Sequence, residues 1–142
     1  MIVLWPNSDS GSDLISQKIR GWSNEEHSFK KRLYRNLPPE IYLRLMSLTS
    51  CLVGNSSSGL REGAFLGTPV LDIGSRQNRR EKSKNVLRVN PDALAIFKGI
   101  NSQLAHGAYG SSSLYGDGTA GKKMANYLAI LEKPTIQKGF IF

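Results

Sequence analysis

Short apolar runs alternate with amphipathic stretches along the chain, and the alternation predicts strands interleaved with helices. The run at 2–5 reads as an opening strand. Residues 12–22 place Ile15, Ile19 and Trp22 on one helical face, with Gly21 weakening its end. Residues 29–35 alternate loosely and read as a second strand. Pro38-Pro39 suits a helix start, because a proline in the first turn lacks only an N–H that would be unpaired anyway. Ile41, Leu45 and Leu48 then recur at i, i+4, i+7. The run at 51–54 is a buried strand, followed by Asn55-Ser56-Ser57-Ser58 and a helix over about 59–66 that Gly67-Thr68-Pro69 breaks. Strands follow at 70–73 and 86–89, separated by a charged loop at 76–84. Asn90-Pro91-Asp92 caps a helix that carries Leu94, Phe97 and Leu104 in register. A loop rich in Gly and Ser spans 107–118. The last helix, 119–131, is expected to turn Met124, Leu128 and Leu131 inward.

Strands alternating with helices imply right-handed crossovers and a parallel sheet covered on both faces. The predicted fold class is therefore α/β, a three-layer α/β/α Rossmann-like sheet. No repeat or linker divides the chain, so 1–131 is read as one domain and 132–142 as a tail. In such sheets the ligand crevice lies beyond the carboxyl ends of the strands. The residues just after strands become the candidates.

Length and charge narrow the partner. The chain has 142 residues, about one domain, with 19 Lys and Arg against 11 Asp and Glu, a formal net charge of +8. That excess favours an anionic partner: nucleic acid, a phosphate-bearing small molecule or an acidic surface. Cys51 is the single cysteine, which excludes an intrachain disulfide framework, and its apolar neighbours suggest a small buried residue. No apolar run approaches about 18 residues, so no membrane partner is expected. Without a basic leader, a cytoplasmic location is expected. His27 and His106 have no metal-ligand partners at suitable spacing, so no metal and no cofactor is expected.

The segment 53–62, Val-Gly-Asn-Ser-Ser-Ser-Gly-Leu-Arg-Glu, carries the most chemistry. Small hydroxylated residues lie between a strand and a helix start, where unpaired N–H groups carry about half a positive charge and attract anions. Gly54 and Gly59 would let the backbone approach a phosphate. The serines could equally do no more than cap the helix, and composition leaves both readings open. It is no Walker loop, because the Gly-Lys-Ser/Thr ending is absent. Glu62 falls in the first helical turn, where a carboxylate favours the dipole. It could instead accept hydrogen bonds from two ribose hydroxyls. Arg76, Arg79, Arg80 and Lys82 come after a strand and suit an anionic ligand, though such runs are commonly solvated loops. Together with Lys30, Lys31, Arg32 and Arg35 they also fit a nucleic-acid module, but no nucleic-acid motif or interleaved aromatic platform accompanies them, so nucleic acid ranks lower. Asn7 and Asp9 come after the first strand, where turn chemistry explains them equally well. Tyr115-Gly116-Asp117-Gly118 reads as a cap for the last helix.

Taken in order, Gly54-Asn-Ser-Ser-Ser-Gly-Leu-Arg-Glu62, Gly67-Thr-Pro-Val70, Gly74-Ser-Arg-Gln77, Asn85-Val86 and Tyr115-Gly-Asp-Gly118 resemble the carboxyl-terminal half of UDP-N-acetylglucosamine 2-epimerases. The hydrolysing kind used in sialic-acid synthesis is the most similar. The segment 6–12 is similar to that family's Pro-Asn-x-Asp-x-Gly-Ser. The resemblance covers about 1–131 and is strongest over 51–89. It implies the carboxyl-terminal half of a glycosyltransferase-B-like fold, with a nucleotide sugar between two Rossmann-like domains. Carried over, Ser56 and Ser57 hold the diphosphate with Gly59 at the helix start. Glu62 takes the ribose hydroxyls, Arg76 supplies positive charge near UDP, and Asn7 approaches from the first loop. The full enzymes eliminate UDP to leave a 2-acetamidoglucal, to which water adds, giving N-acetylmannosamine. The amino-terminal domain that supplies the principal acid and base residues is absent from this sequence. The chain is therefore expected to bind UDP weakly, to be inactive alone, and to need a complementary Rossmann-like domain or subunit. Arg79 stands where the family's Arg-Gln-x-Gly-Arg loop has glycine, which leaves the loop's backbone path open. A nucleotide-sugar-binding subunit of a split glycosyltransferase-B-fold enzyme is the alternative. Association with a second copy and the identity of the sugar, a diacetylated bacillosamine included, are not fixed by these motifs.

Overall fold

A computed structural model describes residues 1–6 and 11–132. Asn7, Asp9 and the tail beyond 132 lie outside the described residues. The chain divides into two compact units, Met1–Leu45 and 46–142.

The first unit is a β-α-β crossover. β1 (Ile2–Leu4) and β2 (Arg32–Tyr34) pair in parallel, Val3 opposite Leu33, and α1 (Ser12–Asn24) connects them. The second strand is shorter than the 29–35 stretch suggested. Its approach is occupied by an aromatic cluster instead, in which His27 and Phe29 stack at 5.2 Å and Lys31 lies over the Trp22 ring. α2 (Pro39–Leu48) begins at the expected prolines and carries the chain into the second unit, where Met46 is buried.

The second unit holds β3 (Leu52–Gly54), β4 (Val70–Ile73) and β5 (Val86–Val89), all parallel in the order β3-β4-β5. Period-two alternation divides their side chains between two faces. Val70 and Val86 point toward α3 (Ser57–Leu60), where Leu60 completes a small core with Leu52. Leu71 and Val89 point toward α5 (Ala93–His106), packing on the backbone at Gly99. This arrangement is α/β/α in three layers, as the alternation predicts. The helix expected over 59–66 is instead two segments, α3 and α4 (Glu62–Leu66), interrupted at Arg61. Asp92 caps α5 by accepting a 2.9 Å hydrogen bond from the Ala95 N–H.

α6 (Ala120–Ile130) departs from the sequence expectation. None of its residues is buried, and Met124, Leu128 and Leu131 face solvent rather than inward. On α5 the apolar stripe is also exposed, with Phe97 at 64%, while the buried positions are Gly99 and Gln103. The reason is steric and polar together. Gly99 admits Leu71 and Val89 closely, and the Gln103 amide donates to the carbonyls of Val70 (2.6 Å) and Asn85 (3.0 Å) at the entry to β4. That face suits the sheet better than the bulkier stripe.

Candidate functional site

β3 and β4 are neighbours in a parallel ladder, so the loops at their carboxyl ends emerge side by side. The first loop carries Asn55, Ser56 and Ser57. Ser56 is the N-cap of α3: its hydroxyl accepts from the Ser58 N–H at 3.4 Å and lies 2.9 Å from the Ser58 hydroxyl. The capping role is thus filled, and Ser56 stays exposed while Ser57 is half-buried. With four residues, α3 has little macrodipole, and the polar groups this loop offers are local N–H and hydroxyl donors.

Gly59 is buried, and a Cβ there would sit 2.8 Å from Val70 Cγ1. Close packing of α3 on β4 accounts for this glycine without a ligand. Glu62 opens α4, and its Oε2 is buried with no hydrogen-bond partner among the described residues.

The second loop begins at Gly74, whose N–H donates to Val89 O at 2.9 Å. Two turns come next, Asn78 N–H to Ser75 O (2.9 Å) and Arg80 N–H to Gln77 O (3.3 Å). Arg76 lies exposed at the loop's start, while the adjacent Gln77 is buried at 3% exposure. Arg79 takes φ +67°, the left-handed conformation that favours glycine. The departure noted at this position therefore keeps the backbone path that a glycine would take.

Three residues to which the sequence alone assigns no role join these loops. Gln77 Nε2 donates to Asn55 O at 2.7 Å, tying the second loop to the first. The guanidinium of Arg88 donates from Nη2 to Gln77 O (2.8 Å) and from Nε to Asp72 Oδ2 (2.7 Å). Asp72 and Arg88 are register partners on β4 and β5, so the pair is a cross-strand neighbour on one sheet face. The signal was in the sequence: Val-Leu-Asp-Ile and Val-Leu-Arg-Val each carry a charge, of opposite sign, at the third position of an otherwise apolar run.

The other motif residues are structural. Asn85 donates to Thr68 O (2.9 Å) and Gly59 O (3.4 Å). Tyr115 donates its hydroxyl to Glu81 O at 2.5 Å, fastening the later loop to the charged one. Asp117 accepts from the Thr119 N–H and hydroxyl just before α6, and these bonds hold its carboxyl below the usual range. Burial pushes the Cys51 thiol up, which suits an apolar filler rather than a nucleophile. An open pocket of about 420 Å³ at the ends of β4 and β5 is lined by Gly74, Ser75, Asn78, Arg88 and Asn90 among others. Ser56, Ser57, Glu62 and Arg76 do not line it. Among the described residues no group of His, Cys, Asp and Glu could hold a metal, and no helix is long and apolar enough to cross a membrane.

The sequence profile described as UDP-N-acetylglucosamine 2-epimerase matches residues 1–129. The chain belongs to that family. Among relatives of this epimerase-family chain, the UDP-N-acetylglucosamine 2-epimerase of Neisseria meningitidis serogroup B is 25% identical over 146 residues, covering 99% of the chain and 38% of the relative. The UDP-N,N'-diacetylbacillosamine 2-epimerase (hydrolyzing) of Legionella pneumophila is 33% identical over 123 residues, 87% of the chain and 32% of the relative. The GDP/UDP-N,N'-diacetylbacillosamine 2-epimerase (hydrolyzing) of Campylobacter jejuni is 36% identical over 87 residues, 61% of the chain and 22% of the relative. The chain thus spans well under half the length of these relatives.

Proposed function

We propose that this chain supplies the UDP-binding half of a hydrolysing UDP-N-acetylglucosamine 2-epimerase. Ser56 and Ser57 hold the diphosphate, with the Gly59 backbone behind them. Glu62 accepts the ribose hydroxyls, and Arg76 brings positive charge from the neighbouring loop. The observation that carries the reading is the side-by-side emergence of the loops after β3 and β4, which bring Ser56, Ser57 and Arg76 to one edge of the sheet. Glu62 follows at the start of α4, and a carboxylate can accept from two vicinal hydroxyls.

In the proposed reaction the bond from the sugar's C1 to the diphosphate oxygen breaks as C2 loses its proton. This leaves a 2-acetamidoglucal. Water then adds to give N-acetylmannosamine, and UDP departs. Negative charge grows on the diphosphate as that bond breaks, so donors already fixed around it lower the barrier. The acid and base belong to a complementary Rossmann-like domain or subunit, and this chain alone turns over no UDP-N-acetylglucosamine. The uncovered apolar stripes of α5 and α6 support a chain that works with a partner.

Calorimetry on the full chain tests the site with UDP and 2'-deoxyuridine diphosphate. UDP is expected to bind about 10-fold more tightly, the worth of one hydrogen bond to a charged group. Glu62→Ala is expected to erase that preference, and Ser57→Ala and Arg76→Ala to weaken both ligands. Equal affinities for the two nucleotides in the wild type, or unchanged heats in the serine and arginine variants, would overturn the reading.

A further inference from the structure

Beyond Gly54 and Ile73 the loops after β3 and β4 leave the ladder, and nothing in the sheet fixes their separation. A misplacement of about 1 Å at a reacting centre can cost about 100-fold in rate. Among the described residues, the Gln77 side chain crosses this gap. Gln77 is gripped at both ends: its Nε2 donates to Asn55 O at 2.7 Å, and its own carbonyl accepts from Arg88 Nη2 at 2.8 Å. The carboxamide can face Asn55 in one orientation alone, because its oxygen would repel the carbonyl. Arg88 is in turn fixed by Asp72, which is 1% exposed, through the planar Nε–H.

Resting on the UDP reading of these loops, we propose that Gln77 is a positioning residue. It sets the distance between the Ser56–Ser57 donors and the Arg76 guanidinium, with the Asp72–Arg88 pair as its anchor. Gln77 touches no ligand in this role. It acts through Asn55, the residue before the N-cap, and through Arg76, its own chain neighbour. Its influence is therefore on the diphosphate and not on the nucleoside.

That difference gives the test. In the full chain, Gln77→Met keeps length and volume but removes the donor. The ratio of UDP to uridine affinity is expected to fall about 10-fold, with uridine affinity changed less than about 2-fold. In an Arg76→Ala background the same substitution is expected to change the ratio less than about 2-fold, since the partner it positions is gone. Arg88→Lys keeps the charge beside Asp72 but loses the Nη2 bond, and a fall of about 3-fold is expected. It also serves as the second variant should Gln77→Met fold poorly. An unchanged ratio in both variants, or equal losses with and without Arg76, would overturn the proposal.

A ligand-free measurement separates this proposal from the UDP reading. In amide ¹H–¹⁵N spectra, Gln77→Met and Arg88→Lys should shift the resonances of 56–59 as well as those of 75–80. Shifts confined to 75–80 would overturn the positioning role whatever the chain binds. Should wild type fail to prefer UDP over uridine, the UDP reading falls, and the amide shifts alone decide whether Gln77 couples the loops.

Discussion

Arg79 offers a stringent check on the loop that carries Arg76. Its φ of +67° is the one left-handed non-glycine conformation among the described residues. It sits as third residue of the turn closed by the Arg80 N–H and Gln77 O, a place where type II geometry requires positive φ and favours glycine. A β-carbon in the left-handed region costs roughly 1–2 kcal/mol. Glycine removes that strain but widens the unfolded ensemble, at a cost of about 0.4–1 kcal/mol. The balance predicts that Arg79→Gly stabilises by about 0.5–1 kcal/mol, raising the melting temperature by about 2–6 °C for a unit near 100 residues. Removing a cation from beside Arg76, Arg80 and Lys82 also relieves repulsion, so Arg79→Ala is the control. It loses the same charge but keeps the β-carbon. Glycine should exceed alanine by about 0.5–1 kcal/mol. Both tryptophans, Trp5 and Trp22, lie in the first unit, so their fluorescence does not report this loop. Urea unfolding followed by far-UV circular dichroism, with hydrogen exchange at the β4 amides, does. Glycine no more stable than alanine would refute the conformational argument.

Two further outcomes concern the same unit. Gly67 closes α4 at φ +68°, and an added Cβ would overlap the Tyr109 carbonyl oxygen, so strain and overlap add. Gly67→Ala should cost at least about 3 kcal/mol in urea unfolding, and a loss under about 1 kcal/mol would contradict the packing described. Arg88→Met strands the buried Asp72 carboxylate and should cost about 2–4 kcal/mol, whereas adding Asp72→Asn should recover most of that loss. Additive losses would show that the two side chains do not act as a pair.

Much of the layout was legible because strands and turns announce themselves locally. The runs at 70–73 and 86–89 coincide with β4 and β5, and Pro39 and Asp92 start helices where their chemistry suggests. Ser56, Ser57 and Arg76 stand out because each comes soon after a strand run, whereas Glu62 stands beyond α3 at the start of α4. Other features depend on the far side of the fold. A stripe such as Leu94, Phe97 and Leu104 defines a face of a helix but not its cover, and here Gly99 and Gln103 take the buried side. Gln77 reads as one more polar residue in a charged loop until Asn55 is seen beside it. The charges in β4 and β5 become a pair only once parallel register sets Asp72 against Arg88.

The polar groups buried around β4 impose direction as well as contributing to stability. Asn85 and Gln103 tie its entry, and Asp72, Arg88 and Gln77 tie its exit. The described residues include four buried side-chain acceptors without a partner, on Glu62, Asp72, Gln77 and Asn85. Three of the four are members of this polar network, and the fourth is the proposed ribose ligand. Apolar side chains of similar volume would fill the same space without stranded acceptors, and replacing buried ion pairs in that way is often neutral or stabilising. What apolar packing does not provide is direction. A carboxamide or guanidinium fixes a carbonyl to within a few tenths of an ångström along a defined line, and donors around a diphosphate act only when held in place beforehand. On the proposed reading, the sheet supports the diphosphate site less through its hydrophobic core, which is small, than through the side-chain hydrogen bonds at the two ends of its central strand.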